Sequence, residues 1–197
     1  MRLERSRRMA QHRIIAVTGP SGAGKSSITH GVTTLLPQLR FSVSITTRKP
    51  RALEQNGKDY HFVSDEEFRQ LVSDGKLAEY EEVYPGTFYG TLHTELARAS
   101  GEQPMLLDID VKGALRLQAS YPGESLTIFI QPPSVEALQA RLRQRATEST
   151  ESMRARLQRA EEEMHYVNVF NAVVVNNSLE RAVAETADLI RSFLGTQ

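Results

Sequence analysis

Eight residues constrain this chain more than any others: Gly19-Pro20-Ser21-Gly22-Ala23-Gly24-Lys25-Ser26, which satisfies G-x-x-x-x-G-K-[ST] in full. The run Ile14 to Thr18 before it is short and apolar and reads as a buried strand. Lys25 to Leu36 after it reads as a helix stopped by Pro37. Strand, glycine-rich turn and helix are the context in which this spacing has chemical meaning. The glycines let the backbone curl so that N–H groups point inward at phosphate oxygens, and the helix adds the positive end of its dipole. Lys25 then reaches the β- and γ-phosphates as a point charge, and the Ser26 hydroxyl is placed to ligate Mg²⁺. A glycine-rich turn with an incidental lysine is the alternative. The motif points to a nucleoside triphosphate and is silent about the reaction.

The rest of the chain alternates. Phe41 to Thr47 reads as a strand, Asp65 to Val72 as a helix, and Leu77 to Val83 with Phe88 to Thr91 as strands around Tyr84-Pro85-Gly86. Residues 42 to 92 thus look like a small β-rich lobe. Met105 to Asp108, Leu126 to Ile130 and Ala172 to Val175 read as strands. Val111 to Ser120, Ser134 to Gln144, Thr150 to Tyr166 and Leu179 to Leu194 read as helices. Such alternation predicts a parallel sheet with helices on both faces.

Met105-Leu106-Leu107-Asp108 is an apolar strand ending in a carboxylate, and Asp110 follows two residues on. Beside a phosphate loop, an acid at such a strand end lies near Mg²⁺, directly or through water. The other reading is an acid capping the helix that starts at Val111.

After the second strand comes Ser42-Val43-Ser44-Ile45-Thr46-Thr47-Arg48-Lys49-Pro50-Arg51, then Glu54, Asn56-Gly57-Lys58-Asp59-Tyr60 and Phe62-Val63-Ser64. This segment resembles the GMP-binding segment of guanylate kinases, and the resemblance runs over residues 13 to 194. It implies an α/β fold: a P-loop NTPase-type parallel sheet with helices on both faces, a small β-rich GMP-binding lobe and a helical lid. It places a basic tail at residues 1–12 and the kinase-like domain at 13–197. Within that domain the core is 13–41 and 92–197, the lobe about 42–91 and the lid about 141–157. It implies transfer of the γ-phosphoryl group of ATP to GMP or dGMP with Mg²⁺ as cofactor.

By residue, the resemblance implies that Gly19, Pro20, Ser21, Gly22, Ala23, Gly24, Lys25, Ser26 and Ser27 hold ATP together with Arg141, Arg145 and Asn176. Ser26 and Asp108 hold the metal. Arg48, Arg51, Tyr60 and Tyr89 take the GMP phosphate, with Glu54 in the same segment, while Ser44, Glu79, Thr91 and Asp110 recognise guanine and Asp108 borders the acceptor. Lys25, Arg48, Arg145 and Arg156 surround the transferring group.

Elementary chemistry agrees with the assignment. A monophosphate needs a second cationic pocket, and arginine binds two of its oxygens at once. A carboxylate such as Glu79 can accept both the N1–H and the N2–H₂ of guanine and would repel the N1 acceptor of adenine. A solvated charged loop is the alternative reading of Arg48 to Asp59. A solvated helix with Glu–Arg pairs is the alternative for the lid, and it is the reading adopted for Arg143, Arg154 and Arg159. The family pattern is broken at Leu53 and Ala146, where glycine is usual, and by an extra residue, Pro85.

Composition removes other classes. Without cysteine there is no disulfide framework or thiolate metal site, and His12, His30, His61, His93 and His165 lack ligand spacing. Zero formal net charge gives no bulk case for nucleic acid. No apolar stretch approaches the roughly 18 residues of a membrane span. Residues Met1 to His12 hold four arginines and no apolar h-region, which reads as a basic tail, with a short organellar transit arm as the alternative and Met9 as a second candidate start. A cytoplasmic enzyme is expected, with homo-oligomerisation left open. Two rivals stand: a phosphate-loop kinase for another small acceptor, and a non-catalytic scaffold binding phosphopeptides.

Overall fold

The computed structural model describes residues 12–144 and 150–196. Arg145, Ala146 and nearly all of the basic tail lie outside the described residues. In chain order the elements are β1 (Ile14–Thr18), α1 (Lys25–Leu35), β2 (Arg40–Phe41), β3 (Ile45–Thr46), β4 (His61–Phe62), α2 (Asp65–Ser73), β5 (Leu77–Tyr84), β6 (Thr87–Leu92), α3 (His93–Leu96), β7 (Met105–Asp108), α4 (Val111–Ser120), β8 (Ser125–Gln131), α5 (Val135–Gln144), α6 (Thr150–Met164), β9 (Ala172–Val175) and α7 (Leu179–Leu194).

Among the described residues, five strands form a parallel sheet in the order β2-β7-β1-β8-β9. All five residues of β1 are buried. They alternate between two cores, as side chains on a strand must. Ile15 and Val17 join Ile28 and Val32 of α1 and Ala187 and Ile190 of α7. Ile14 and Ala16 join Ala114 and Leu117 of α4 and Phe129. Burial on both faces is why β1 reads as a continuous apolar run rather than an alternating one.

The second sheet has the order β4-β3-β6-β5 and packs Ile45, Phe68 and Leu77 beneath α2. The helix starts on a capping box: Ser64 Oγ accepts from Glu67 N, and the Glu67 carboxylate accepts from Ser64 N. Pro85 and Gly86 make the turn between β5 and β6, with Gly86 at φ 72°. That is the chemistry of a proline followed by a left-handed residue.

One expected strand is not continuous. Phe41 to Thr47 divides into β2, which pairs with β7 in the first sheet, and β3, which pairs with β4 and β6 in the second. The alternating pattern is the same on both sides of the crossing, so it carries no sign that the hydrogen-bonding partner changes. Glu95, on the unforeseen helix α3, accepts from Val43 N at 3.4 Å and from Arg98 at 2.7 Å, tying the crossing segment to the return of the chain. The expected helix Thr150 to Tyr166 stops at Met164 and is followed by a 3₁₀ turn, Val167–Val169. Leu138 and Leu142 of α5 pack against Leu157 and Ala160 of α6, which makes these two helices a unit.

The α1–α7 contact is close because Gly31 has no side chain. A Cβ there would lie 2.7 Å and 3.0 Å from the two γ-carbons of Val183. Alanine normally gains about 1 kcal/mol over glycine inside a helix. Overpacking against a stiff β-branched neighbour costs about 1–3 kcal/mol and should win. Gly31→Ala is therefore expected to lower the urea unfolding midpoint in the wild type and to be neutral or stabilising in a Val183→Ala background. Equal effects in the two backgrounds would remove the contact as the cause.

Candidate active site

The loop after β1 opens α1 at the middle of the main sheet. Gly19, Gly22 and Gly24 all carry positive φ, the conformation that turns successive N–H groups inward. Lys25 Nζ folds back over the loop and donates to the Gly19 and Pro20 carbonyls at 2.7 and 3.3 Å. In the β1–β7 register Val17 stands opposite Asp108, so the carboxylate arrives beside the start of α1. There Ser26 Oγ donates to Asp108 Oδ2 at 2.7 Å.

Two residues expected at ATP brace the loop from behind. Asn176 is buried, and its Nδ2 donates to the Ala23 carbonyl at 2.7 Å. Arg141 donates to the same carbonyl at 3.3 Å and to the Asn176 carbonyl at 2.9 Å. Both spend polar groups on the backbone that shapes the loop.

In front of the loop lies a cavity of about 210 Å³, lined by Lys25 and Ser26 on one side and by Arg51, Tyr60, Tyr89, Glu79 and Asp110 on the other, with Asp108 and Arg156 between them. A larger cleft of about 770 Å³ shares Ser26, Ser44, Arg51, Tyr60, Asp108 and Arg156 with it. The two arginines expected at the acceptor phosphate differ in role. Arg51 is exposed and lines the cavity. Arg48 stands one layer back, its Nη atoms donating to both oxygens of Glu54 at 2.9 and 2.8 Å and its Nε to the Tyr89 hydroxyl at 3.1 Å. Its guanidinium also lies 5.3 Å from the Tyr60 ring centre and 5.6 Å from that of Phe62.

Charge follows from these contacts. The hydrogen bond from Arg48 holds the Glu54 carboxyl below its usual range, and the Glu54 bond raises Arg48 in turn. Glu54 also accepts from Arg51 N at 2.7 Å, so one carboxylate organises both arginines. Burial, with Asp108 nearby, pushes the Tyr60 hydroxyl up to about 12, which keeps it a neutral donor.

The far wall is set by the antiparallel pairing of β5 and β6, in which Glu79 opposes Thr91 and Glu81 opposes Tyr89. The register shifts between Leu77 and Glu79 and between Glu82 and Tyr84, on either side of this stretch. Thr91 Oγ1 donates to Glu79 Oε1 at 2.6 Å. Burial pushes the Glu79 carboxyl up to about 7; the Thr91 bond opposes the shift and Asp110 adds to it. Asp110 is the N-cap of α4, its Oδ1 accepting from Lys112 N and Gly113 N at 2.9 and 3.1 Å. The capping role and a place in the cavity wall coexist on this one carboxylate.

Two charged residues lining the smaller cavity were missed from sequence, Arg159 and Glu163. Arg159 is not a solvated partner of a surface glutamate: its Nε donates to Glu163 at 2.8 Å and its Nη1 to the Val83 carbonyl, inside the cavity wall. Burial raises the Glu163 carboxyl although Arg159 pulls the other way. Arg156 and Arg159 lie 5.3 and 5.9 Å from the Tyr84 ring centre. The spacing 156, 159, 163 puts all three on one helical face, which was the available signal. Arg145 lies outside the described residues, while Arg143 and Arg154 are exposed.

A family model for guanylate kinase matches residues 11–193. The chain belongs to the guanylate kinase family. It is 49% identical over 188 residues to the guanylate kinase of Salinibacter ruber, covering 95% of this chain and 100% of the relative. It is 40% identical to the guanylate kinase of Porphyromonas gingivalis over 92% of this chain and 98% of that one. Among solved structures it is similar to the crystal structure of guanylate kinase from Anaplasma phagocytophilum, with a TM-score of 0.75 and 32% identity over 93% of this chain and 86% of that one. Membership of the family makes this α/β chain a nucleoside monophosphate kinase of the phosphate-loop type.

Glu79 gives a structural test of the site that needs no substrate. Its folded value of about 7 lies above the ordinary 4.5, so the folded state holds the proton more tightly than the unfolded one. Stability is therefore lost as pH rises from about 4.5 through 7. Glu79→Gln removes that loss. The variant's unfolding free energy, from urea titration, is expected to match the wild type near pH 4 and to exceed it at pH 8 by about 1–3 kcal/mol. A gap that does not widen with pH would show that the carboxylate is not held against its charge.

Proposed function

We infer that this chain transfers the γ-phosphoryl group of ATP to GMP, giving ADP and GDP, and that the cavity between Lys25 and Glu79 is where it does so. The observation that carries the reading is a single cavity with a nucleoside-triphosphate loop on one wall and, on the other, an exposed arginine, two tyrosines and a buried carboxylate. ATP approaches the loop, where Lys25 exchanges its backbone carbonyl partners for β- and γ-phosphate oxygens. Ser26 and Asp108 are a pair of hard oxygen donors 2.7 Å apart, which suits Mg²⁺ beside a phosphate chain. They would hold the ion there, and the ion supplies charge neutralisation on the transferring group.

The acceptor phosphate is taken by Arg51 with the Tyr60 and Tyr89 hydroxyls. Arg48 fixes Tyr89 and Glu54, so it acts on the phosphate through their placement and its own remaining N–H. Glu79, steadied by Thr91, accepts from guanine N1–H and N2–H₂, with Ser44 and Asp110 beside it. Since GMP is itself the nucleophile through a phosphate oxygen, no strong base is required, and catalysis rests on alignment and charge neutralisation. Arg156 from α6, with Arg145, supplies positive charge to the transferring group as residues 141–157 close over it. Residues 42–91 close from the other side and exclude water that would otherwise hydrolyse ATP. The enzyme works in the cytoplasm, where both nucleotides are available.

Two measurements test the assignment. Lys25→Ala is expected to lower kcat at least about 1,000-fold while GMP binding, measured by calorimetry, stays within about two-fold, since the lost charge acts on the donor phosphates. Near-normal turnover would end the role given to Lys25. Second, ADP release measured against GMP, dGMP, AMP, UMP and dTMP should depend on a guanine acceptor, with AMP slower by several orders of magnitude. Turnover with a different acceptor would keep the triphosphate site and discard the guanine pocket. Binding of GMP or phosphopeptide without turnover would favour the scaffold reading.

A further inference from the structure

Glu79 and Asp110 come from different elements, β5 and the cap of α4, yet their carboxylates meet at one place. That place is Gly113. A Cβ built on Gly113 would lie 2.4 Å from Glu79 Oε2, 3.1 Å from Glu79 Cδ and 3.3 Å from Asp110 Oδ2. The Glu79 carboxylate therefore occupies the space that any other side chain at position 113 would fill. The local backbone does not require a glycine: Gly113 lies inside α4 and is not among the positive-φ glycines. A glycine here weakens the helix relative to alanine, so its use is explained by what packs against it.

The carboxylate is pinned from both sides. Oε1 receives the Thr91 hydroxyl at 2.6 Å, and Oε2 lies against the Gly113 Cα. A second set of contacts docks β5 onto the same helix. Glu81 accepts from Lys112 Nζ at 2.8 Å and from Arg116 Nη2 at 2.9 Å, and Arg116 also donates to the Tyr80 carbonyl. Gly113 sits between these cations in sequence, so the helix grips the strand on either side of the point where Glu79 needs room.

We propose that Gly113 is a specificity-determining residue of this enzyme: its missing side chain sets the depth at which the Glu79 carboxylate meets guanine. The proposal rests on the reading of Glu79 as the guanine acceptor. A methyl group at position 113 turns the carboxylate away from α4, into the base pocket or off Thr91. Restoring an ordinary contact takes about 1 Å of movement, a displacement that can cost a positioned group on the order of 100-fold. The atom displaced is the far end of a flexible side chain, so the fold itself should not suffer.

The test is steady-state kinetics, with GMP, AMP and ATP varied in turn, on wild type, Gly113→Ala, Glu79→Ala and the double variant, together with urea unfolding. Gly113→Ala is expected to raise KM for GMP by about 30- to 100-fold, leave KM for ATP within about two-fold and leave the unfolding midpoint unchanged or higher. In the Glu79→Ala background the same substitution should change KM for GMP by less than about three-fold, because the group it acts through is gone. An equal rise in both backgrounds would mean that Gly113 acts through the fold, and an unchanged KM in the single variant would mean that it does not act; either overturns the proposal. A Gly113→Ala protein that fails to fold overturns it too, since the Cβ would then meet something less yielding than a carboxylate. If Glu79→Ala alone keeps its preference for GMP over AMP, the base-pocket reading falls, and that result is separate from anything Gly113→Ala shows.

Discussion

The parallel pairing of β1 with β7 is the constraint on which the rest of the site depends. It sets Val17 opposite Asp108, and because both strands run the same way, the phosphate loop and the acidic strand end emerge on the same edge of the sheet. Parallel strands leave their C-terminal ends open as a crevice that ligands can reach. The 2.7 Å hydrogen bond from Ser26 to Asp108 is the local record of that alignment. Burial of β1 on both faces makes the alignment stiff, since a slip of one residue would exchange Ile15 and Val17 for Ile14 and Ala16 between two differently shaped cores.

Against this rigid edge the acceptor wall is built in layers. Several of the residues around the cavity are held by partners that do not face it. Glu54 positions Arg48 and the Arg51 backbone, Arg48 positions Tyr89, and Thr91 positions Glu79. On the loop side Asn176 and Arg141 do the same for the Ala23 carbonyl. Such layering keeps the groups that face the cavity in place from behind. It also tolerates an energetically poor choice such as a nearly fully buried carboxylate, because Thr91 and the cap of α4 determine where that carboxylate can go.

The elements of the fold were legible wherever one periodicity ran through one environment. The apolar runs of β1, β7 and β8 and the stops at Pro37 and after Ser120 needed no tertiary information. Phe41 to Thr47 failed because one alternating segment serves two sheets, and alternation reports a strand without naming its neighbour. Arg159 and Glu163 failed for a related reason. As an i,i+4 pair on a polar helix they have the pattern of a surface ion pair, and only the packing of α6 beside Val83 and Tyr84 puts them in a cavity wall.

What the sequence determined by itself was chemistry of short range: the glycine, lysine and serine spacing of the phosphate loop, the carboxylate at the end of β7, and the arginines and tyrosine of the segment after β2. Each is a set of neighbours along the chain, and local geometry is enough to say what they can bind. The tertiary structure decided which of them reach the same space. It set Arg51 in front and Arg48 behind, gave Asp110 both a helix cap and a place in the wall, and brought Glu79 onto the bare Cα of Gly113. Those outcomes depend on how strands and helices distant in sequence pack together, and the order of residues along one chain does not contain the distance between two elements until the core that joins them has formed.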